Sequence, residues 1–267
     1  MAATHAVVSL AALDLRRHPD HASEMRSQLL LGEVVRLLRR SGDGLWWRVE
    51  NISDRYRGWV RSWGLIPATR ARAAAWERKA RARVVEPLLE ARAVPGGDLS
   101  IGPLFWNARV IAGPKRGGLR RVELPDGRRG WVRSTGLGPM VRPDRPLIAR
   151  VRGLLGAPYL WGGRTPAGFD CSGFVQQALA EQKLLLPRDA QQQFRACRRV
   201  GKEEPEREGD LVFFGLEGKP AAHVGILLGA GYFAHARGTV RINSTVPGNP
   251  LYDRALMAQY RGIRRPR

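Results

Sequence analysis

Apolar and polar residues alternate in short runs through the first half of the chain, and turn residues break the runs. Val7, Val8, Leu10, Leu13 and Leu15 open this pattern and predict a first strand. Two later stretches, "GEVVRLLRRSGDGLWWRVE" (32–50) and "ARVIAGPKRGGLRRVELPDG" (108–127), continue it. Their "GDG" and "PDG" clusters supply turns, since glycine accepts the positive φ that tight turns need. Each stretch runs into a near-copy of one segment: "RGWVRSWGLIP" from Arg57 and "RGWVRSTGLGP" from Arg129. The repeat predicts two small β domains over residues 1–66 and 81–142, with Trp59 and Trp131 as equivalent core positions. Residues 67–80 between them are rich in Ala, Arg and Glu and predict a helical linker.

After Pro143 the pattern changes. Leu147, Ile148, Val151, Leu154 and Leu155 recur at helical spacing, and "GAP" then breaks the helix. "GFDCSGF" (168–174) leads into a second predicted helix, "CSGFVQQALAEQKL", with Phe174, Val175 and Leu179 on its buried face. "DLVFFG", "AHVGILLG" and "YFAHARGTVRINS" follow as strands. Residues 143–267 therefore read as one α+β domain.

Composition adds two constraints. The formal net charge is +21, from 45 basic and 24 acidic residues, but only five of the basic residues are lysines. The excess is spread, with 8 of it in residues 143–267 and 13 in residues 1–142. That distribution argues against a nucleic-acid-binding stripe, although a basic surface steers acidic small substrates inward. No segment is long and apolar enough for a membrane span. The N-terminal apolar run has no basic residue ahead of it and contains Asp14, unlike a secretory leader, so the expected compartment is the cytoplasm. Two cysteines make no disulfide framework, and both are read as free thiols.

Cys171 is expected at the first turn of its helix, where unpaired N–H groups and the helix dipole favour thiolate over thiol. Cys197, in "FRACRRV", has no such frame. A nucleophilic thiol needs a base and a group to orient that base. His223 and His235 lie 12 residues apart, the reach of adjacent antiparallel strands, and two such strands would present both rings toward the helix tip. Taken alone, each is more often a satisfied strand histidine than a catalytic one. The other three histidines fall in the first β domain. No ligand set at zinc spacing is present, and neither metal nor cofactor is expected.

The blocks "PYLWGGRTPAGFDCSGF", "LPRDAQQQ", "GDLVFF", "HVGILLG" and "FAHA" resemble the NlpC-type family of bacterial cell-wall cysteine peptidases, over about residues 145–262. The resemblance implies a papain-like fold; separately, the two strand runs ending in "GWV", over about residues 1–66 and 81–142, resemble the bacterial SH3-type domain and imply two SH3-like barrels ahead of it. The peptidase resemblance implies Cys171 as nucleophile, His223 as general base, His235 as orienting member and Tyr159 as an oxyanion donor. The implied substrate is a peptidoglycan stem peptide, cut between γ-D-glutamate and a diamino acid. The arrangement resembles a subgroup that recycles wall peptides carrying a free N-terminal L-Ala. By that resemblance Asp170, Ser172, Asp189 and Trp161 are substrate-binding candidates in the last domain, and Tyr56 and Glu24 in the first. Ala190 stands where the family often has serine. A monomer is expected. The rival readings are an exported hydrolase of intact wall anchored by its SH3-type domains, and a non-catalytic binding module.

Overall fold

The sequence repeat reappears as a repeat of topology. In the computed structural model the described residues are 2–267 apart from 142–145, 183 and 202. The chain divides into two units, Met1–Met140 and Val141–Arg267. The first copy supplies β1 (His5–Val8), β2 (Ala12–Arg16), β3 (Met25–Leu30), β4 (Val34–Arg40), β5 (Trp46–Asn51), β6 (Arg57–Arg61) and β7 (Leu65–Ala68). Helix α1 (Arg70–Lys79) follows, capped by the Thr69 hydroxyl, which accepts from the Arg72 amide. The second copy supplies β8 (Ala82–Val84), β9 (Leu88–Arg92), β10 (Ser100–Phe105), β11 (Arg109–Arg116), β12 (Leu119–Glu123), β13 (Arg129–Arg133) and β14 (Leu137–Pro139). The strand orders, β3-β2-β6-β5-β4-β1-β7 and β10-β9-β13-β12-β11-β8-β14, correspond strand for strand.

Two expectations need correction here. The single first strand is two, β1 and β2, split by a bend. Val7 and Val8 are both buried because β1 lies between two cores: Val8 joins Leu13, Leu15 and Val49, while Val7 joins Val34, Ala68 and Ala73 of α1. The sheets are also not closed barrels, since no backbone pairing joins β3 to β7 or β10 to β14 among the described residues. They curl instead, so that Leu29 of β3 and Leu65 of β7 share one core. Trp59 is buried under the Arg39 guanidinium, 5.2 Å from its ring, whereas Trp131 is only half-buried. The two copies join within the unit. Leu31 packs into the second core, the Arg109 amide donates to the Leu31 carbonyl at 3.0 Å, and the Trp76 indole donates to the Gly32 carbonyl at 3.0 Å.

The second unit begins with α2 (Leu147–Val151), whose buried Leu147 and Val151 match the predicted face. The helix ends in a single tighter turn at Leu154, so Leu155 points outward. A small ribbon, β15 (Arg164–Thr165) with β16 (Gly168–Phe169), leads into α3 (Cys171–Leu179) and then α4 (Ala190–Ala196). The remaining elements are β17 (Arg198–Arg199), β18 (Leu211–Phe214), β19 (His223–Gly229), β20 (Tyr232–Arg237), β21 (Thr239–Ser244), α5 (Arg254–Met257) and β22 (Tyr260–Arg265). The six strands form one antiparallel sheet, ordered β17-β22-β18-β19-β20-β21. Gly238, at φ +73°, turns the chain between β20 and β21 and so divides "YFAHARGTVRINS" into two strands.

All nine residues of α3 are buried, and the helix packs on β19 and β20. Its start is pressed against the loop before β15. A Cβ on Gly173 would sit 2.2 Å from the Gly163 carbonyl oxygen, so only glycine fits there. In "GFDCSGF" the glycine after Ser172 lets two pieces of backbone meet beside the cysteine.

Candidate active site

Cys171 is the first residue of α3, and Asp170 is its N-cap. The Gly173 amide donates to Asp170 Oδ1 at 2.7 Å, and the Gly162 amide donates to Oδ2 at 2.9 Å. Arg188, only 1% exposed, closes the arrangement. Its guanidinium donates to both Asp170 oxygens, at 3.0 and 2.5 Å, and to the Ser172 hydroxyl at 2.9 Å. Asp170 and Ser172 are thus placed directly beside the cysteine, but their side chains are engaged in holding the helix start. A carboxylate already bridged bidentately by a buried guanidinium is not an open receptor for an ammonium group.

Cys171 is 7% exposed. The backbone N–H groups of Ser172 and Val224 reach it, and Val224 directly follows His223 at the head of β19. The helix tip and the histidine strand therefore meet at the thiol. Strand register then sets the rest. Ile226 pairs with Ala234 and Leu227 with Phe233, which puts His235 across from Gly225, two residues beyond His223 on the same face. A Cβ on Gly225 would lie 2.8 Å from the Phe233 ring and 3.3 Å from the His235 Cβ. Glycine at this position clears the space in which the imidazoles meet, with His223 Nε2 2.7 Å from His235 Nδ1. Phe214 and Phe233 wall them in, with ring centroids 5.8 Å from His223 and 5.1 Å from His235 respectively.

Those apolar walls decide the protonation states. Burial, followed by the charges of His235 and Arg237, pushes His223 down to about 3. Burial likewise brings His235 down to about 4, against the raising effect of its bond to Asn243. Burial and then the Asp170 carboxylate push the Cys171 thiol up to about 12, opposed by the Val224 and Ser172 N–H groups and by Arg188. The expected anionic sulfur is therefore corrected: the helix terminus acts in the anticipated direction, but desolvation outweighs it. At neutral pH Cys171 therefore rests as a thiol, and His223 and His235 as neutral imidazoles. A neutral thiol attacks by passing its proton to a base as the new bond forms, in the manner of a hydroxyl nucleophile.

Tyr159 lies near enough that Cys171 and Asp170 act on its hydroxyl, which burial drives first and these two groups next to about 12. It remains a protonated donor at any working pH, and its amide is anchored to the Gly238 carbonyl at 2.8 Å. Trp161 is 61% exposed, in the turn whose Gly162 amide holds Asp170. Asp189 follows Arg188 and caps α4, its amide donating to Gln192 Oε1 at 3.3 Å, with the buried Ala190 next to it. Tyr56 and Glu24 belong to the first unit. The Tyr56 ring is packed in the first core, with Arg26 5.3 Å from its centroid, and Glu24 lies 3.9 Å from Arg17 on the surface. Sequence reasoning missed Arg188, Gly225 and Asn243. The arginine was in view inside "LPRD", but nothing in that motif says which carboxylate it faces.

Residues 156–261 match the NlpC/P60 family. That match supports a cysteine peptidase over these residues. Residues 15–65 match the bacterial dipeptidyl-peptidase SH3 domain; that match falls on the first of the two β repeats. Over 277 residues the chain is 28% identical to the gamma-D-glutamyl-L-lysine dipeptidyl-peptidase of Bacillus cereus (strain ATCC 10987 / NRS 248), covering 95% of this chain and 78% of that protein. A shorter match, 51% identical over 79 residues, is to the bifunctional muramidase/DL-endopeptidase CwlT of Bacillus subtilis (strain 168), spanning 28% of this chain and about a quarter (24%) of that protein's length. A crystal structure of an NlpC/P60 family protein from Bacillus cereus ATCC 10987 has the same fold, with a TM-score of 0.81 at 24% identity and coverage of 98% of this chain and 99% of that one.

Proposed function

We propose that the chain hydrolyses the γ-D-glutamyl–diamino acid bond of peptidoglycan stem peptides that carry a free N-terminal L-Ala. The observation that carries this reading is the meeting of the Cys171 sulfur with the head of β19, where His223 is tied through Nε2 to His235 at 2.7 Å. Cys171 is the nucleophile, His223 the general base and His235 its orienting partner. His223 takes the thiol proton as sulfur attacks the γ-glutamyl carbonyl. The resulting oxyanion accepts hydrogen bonds from Tyr159 and from N–H groups at the helix start, donors of a kind that supply a few kcal/mol of transition-state stabilisation. His223 then protonates the leaving amine. Water attacks the thioester, releasing L-Ala-γ-D-Glu and restoring the thiol.

The amine of L-Ala needs a carboxylate. Arg188 bridges Asp170, and Asp189, whose side chain also caps α4, is the second acidic candidate in the catalytic unit, with Trp161 as an exposed apolar surface in the same unit. Roles for Tyr56 and Glu24 rest on the family resemblance and on the SH3-type match over residues 15–65. Two free cysteines, one of them the nucleophile, suit a reducing compartment, and recycling of released peptides in the cytoplasm belongs to the same proposal. Incubating wild type and Cys171→Ala with L-Ala-γ-D-Glu-diaminopimelate and its lysine counterpart, followed by mass spectrometry, tests the reading. Equal turnover by both proteins sinks it. Unchanged cleavage of N-acetylated substrate removes the amine requirement alone.

The match to the muramidase/DL-endopeptidase favours one alternative, an enzyme acting on intact wall. Release of soluble fragments from purified sacculi at rates matching those on free peptides is the outcome that alternative requires.

A further inference from the structure

Behind the histidine pair lies a polar chain that the peptidase reading leaves unused. Asn243 on β21 is opposite Phe233 in register and therefore one diagonal step from His235 on the same sheet face. Its Oδ1 is 2.9 Å from His235 Nε2, and its Nδ2 donates to the Leu251 carbonyl at 2.7 Å. A backbone carbonyl only accepts, so the amide nitrogen must face Leu251 and the amide oxygen must face the ring. That oxygen also only accepts, so His235 carries its proton on Nε2. A neutral His235 then presents the Nδ1 lone pair, which accepts the Nε2–H of His223 across 2.7 Å. A neutral His223 is left with a bare Nδ1.

We propose that Asn243, oriented by the Leu251 carbonyl, is a positioning residue that fixes the proton arrangement of the histidine pair so that His223 Nδ1 is free to act as base. The inference rests on the cysteine-peptidase reading for its functional meaning, though not for its geometry. The opposite neutral arrangement places a proton on Nδ1 of both rings. It sets a bare His235 Nε2 against the Asn243 oxygen, lone pair against lone pair, and blocks the nitrogen that has to receive the thiol proton. When His223 becomes charged during attack, His235 shares that charge, and the Asn243 oxygen steadies it through the same bond. The charged groups that act on the pair are few. Arg237 and Arg241 oppose positive charge on His235, Asp253 favours it, and Arg237 also opposes it on His223. On the thiol side stand Asp170 and Arg188.

The test uses the full chain as wild type, Cys171→Ala, Asn243→Ala and Asn243→Asp, with L-Ala-γ-D-Glu-diaminopimelate as substrate. Asn243→Ala is expected to lose about 10- to 100-fold in kcat with KM within twofold, the effect of removing one hydrogen bond to a group that becomes charged. Asn243→Asp keeps an acceptor against His235 while losing the donor to Leu251, so it is expected to restore most of that loss. Its carboxylate, facing an imidazole, should also move the acid limb of kcat/KM upward by about one unit or more. In parallel, ¹⁵N NMR on the Cys171→Ala protein reads the tautomers directly: Nε2–H on both rings with Asn243 present, and a mixture once alanine replaces it. Full turnover by Asn243→Ala alongside a dead Cys171→Ala overturns the positioning role and leaves the peptidase reading standing. Loss of activity in Asn243→Asp equal to that in Asn243→Ala, with Nε2–H retained in both, also overturns it, assigning Asn243 to holding Leu251. Wild-type turnover by Cys171→Ala defeats the peptidase reading instead, and the tautomer spectra then decide the proton arrangement by themselves.

Discussion

Replacing Arg188 by methionine isolates the ion pair beneath the nucleophile. Arg188 is 1% exposed and gives two hydrogen bonds to Asp170 and one to Ser172, so methionine fills much of its volume but leaves a carboxylate buried without its cation. Breaking a buried pair in this way costs about 3–5 kcal/mol, more than the pair itself contributes over an apolar substitute. For a unit the size of Val141–Arg267, each kcal/mol moves Tm by about 4 °C, so a fall of about 12–20 °C is expected. Cys171 and Cys197 both lie in this unit and both are buried, so a thiol-reactive dye added during heating follows this unit alone. A Cys171→Ala background leaves Cys197, 3% exposed, as the reporter. The double variant Arg188→Met/Asp170→Asn removes both charges and is expected to melt above Arg188→Met, with a coupling of about 1–3 kcal/mol between the two sites. A single variant melting within about 3 °C of its parent, or a double variant melting lower by the sum of the two singles, refutes the claim that the pair holds the helix start.

Three further outcomes follow from the site. Tyr159→Phe removes the proposed oxyanion donor and is expected to lower kcat by about 10²-fold or more at unchanged KM, read by steady-state kinetics on the free peptide. Iodoacetamide labelling of Cys171, followed by peptide mass spectrometry, should rise steadily from pH 6 to pH 9 without a plateau, because burial holds the thiol protonated up to about 12; a pH-independent rate across that range would mean a preformed thiolate. His223 and His235 have folded values of about 3 and 4, below the ordinary 6.5, so protons favour the unfolded chain. The stability they confer is complete above pH 6.5 and falls as pH drops toward 4, by about 2 kcal/mol per unit for the pair, and urea midpoints in that window measure it.

What the sequence disclosed depended on whether the information was local. The repeat at Arg57 and Arg129 anticipates two sheets of one topology, because the turn glycines and the "RGWV" strand recur together. It does not disclose that the sheets stay open, since curling is settled by Leu29 and Leu65 meeting across the sheet. The helix after Asp170 was legible from its cap and apolar face. The strand pair bearing His223 and His235 was legible from a spacing of 12, which matches a tight antiparallel connection. Arg188, Gly225 and Asn243 were not, because each matters through a partner distant in sequence: Asp170, the His235 Cβ and His235 Nε2. A polar residue within "TVRINS" looks the same whether it faces solvent or an imidazole.

The protonation of the thiol illustrates the same limit with opposing forces. Local sequence places Cys171 at a helix start, and the N–H groups of Ser172 and Val224 do favour the anion. The same sequence also supplies Asp170 one residue away, and the fold brings Phe214 and Phe233 around the histidines. Two backbone dipoles and a guanidinium are set against burial and a neighbouring carboxylate, and burial is the largest influence on both the sulfur and the imidazole. A neutral pair then has to move a proton in the same step that forms the carbon–sulfur bond. That requirement makes a bare Nδ1 on His223 a condition of the proposed reaction, and the same Nε2–H of His223 needs the His235 Nδ1 lone pair before and after the proton moves.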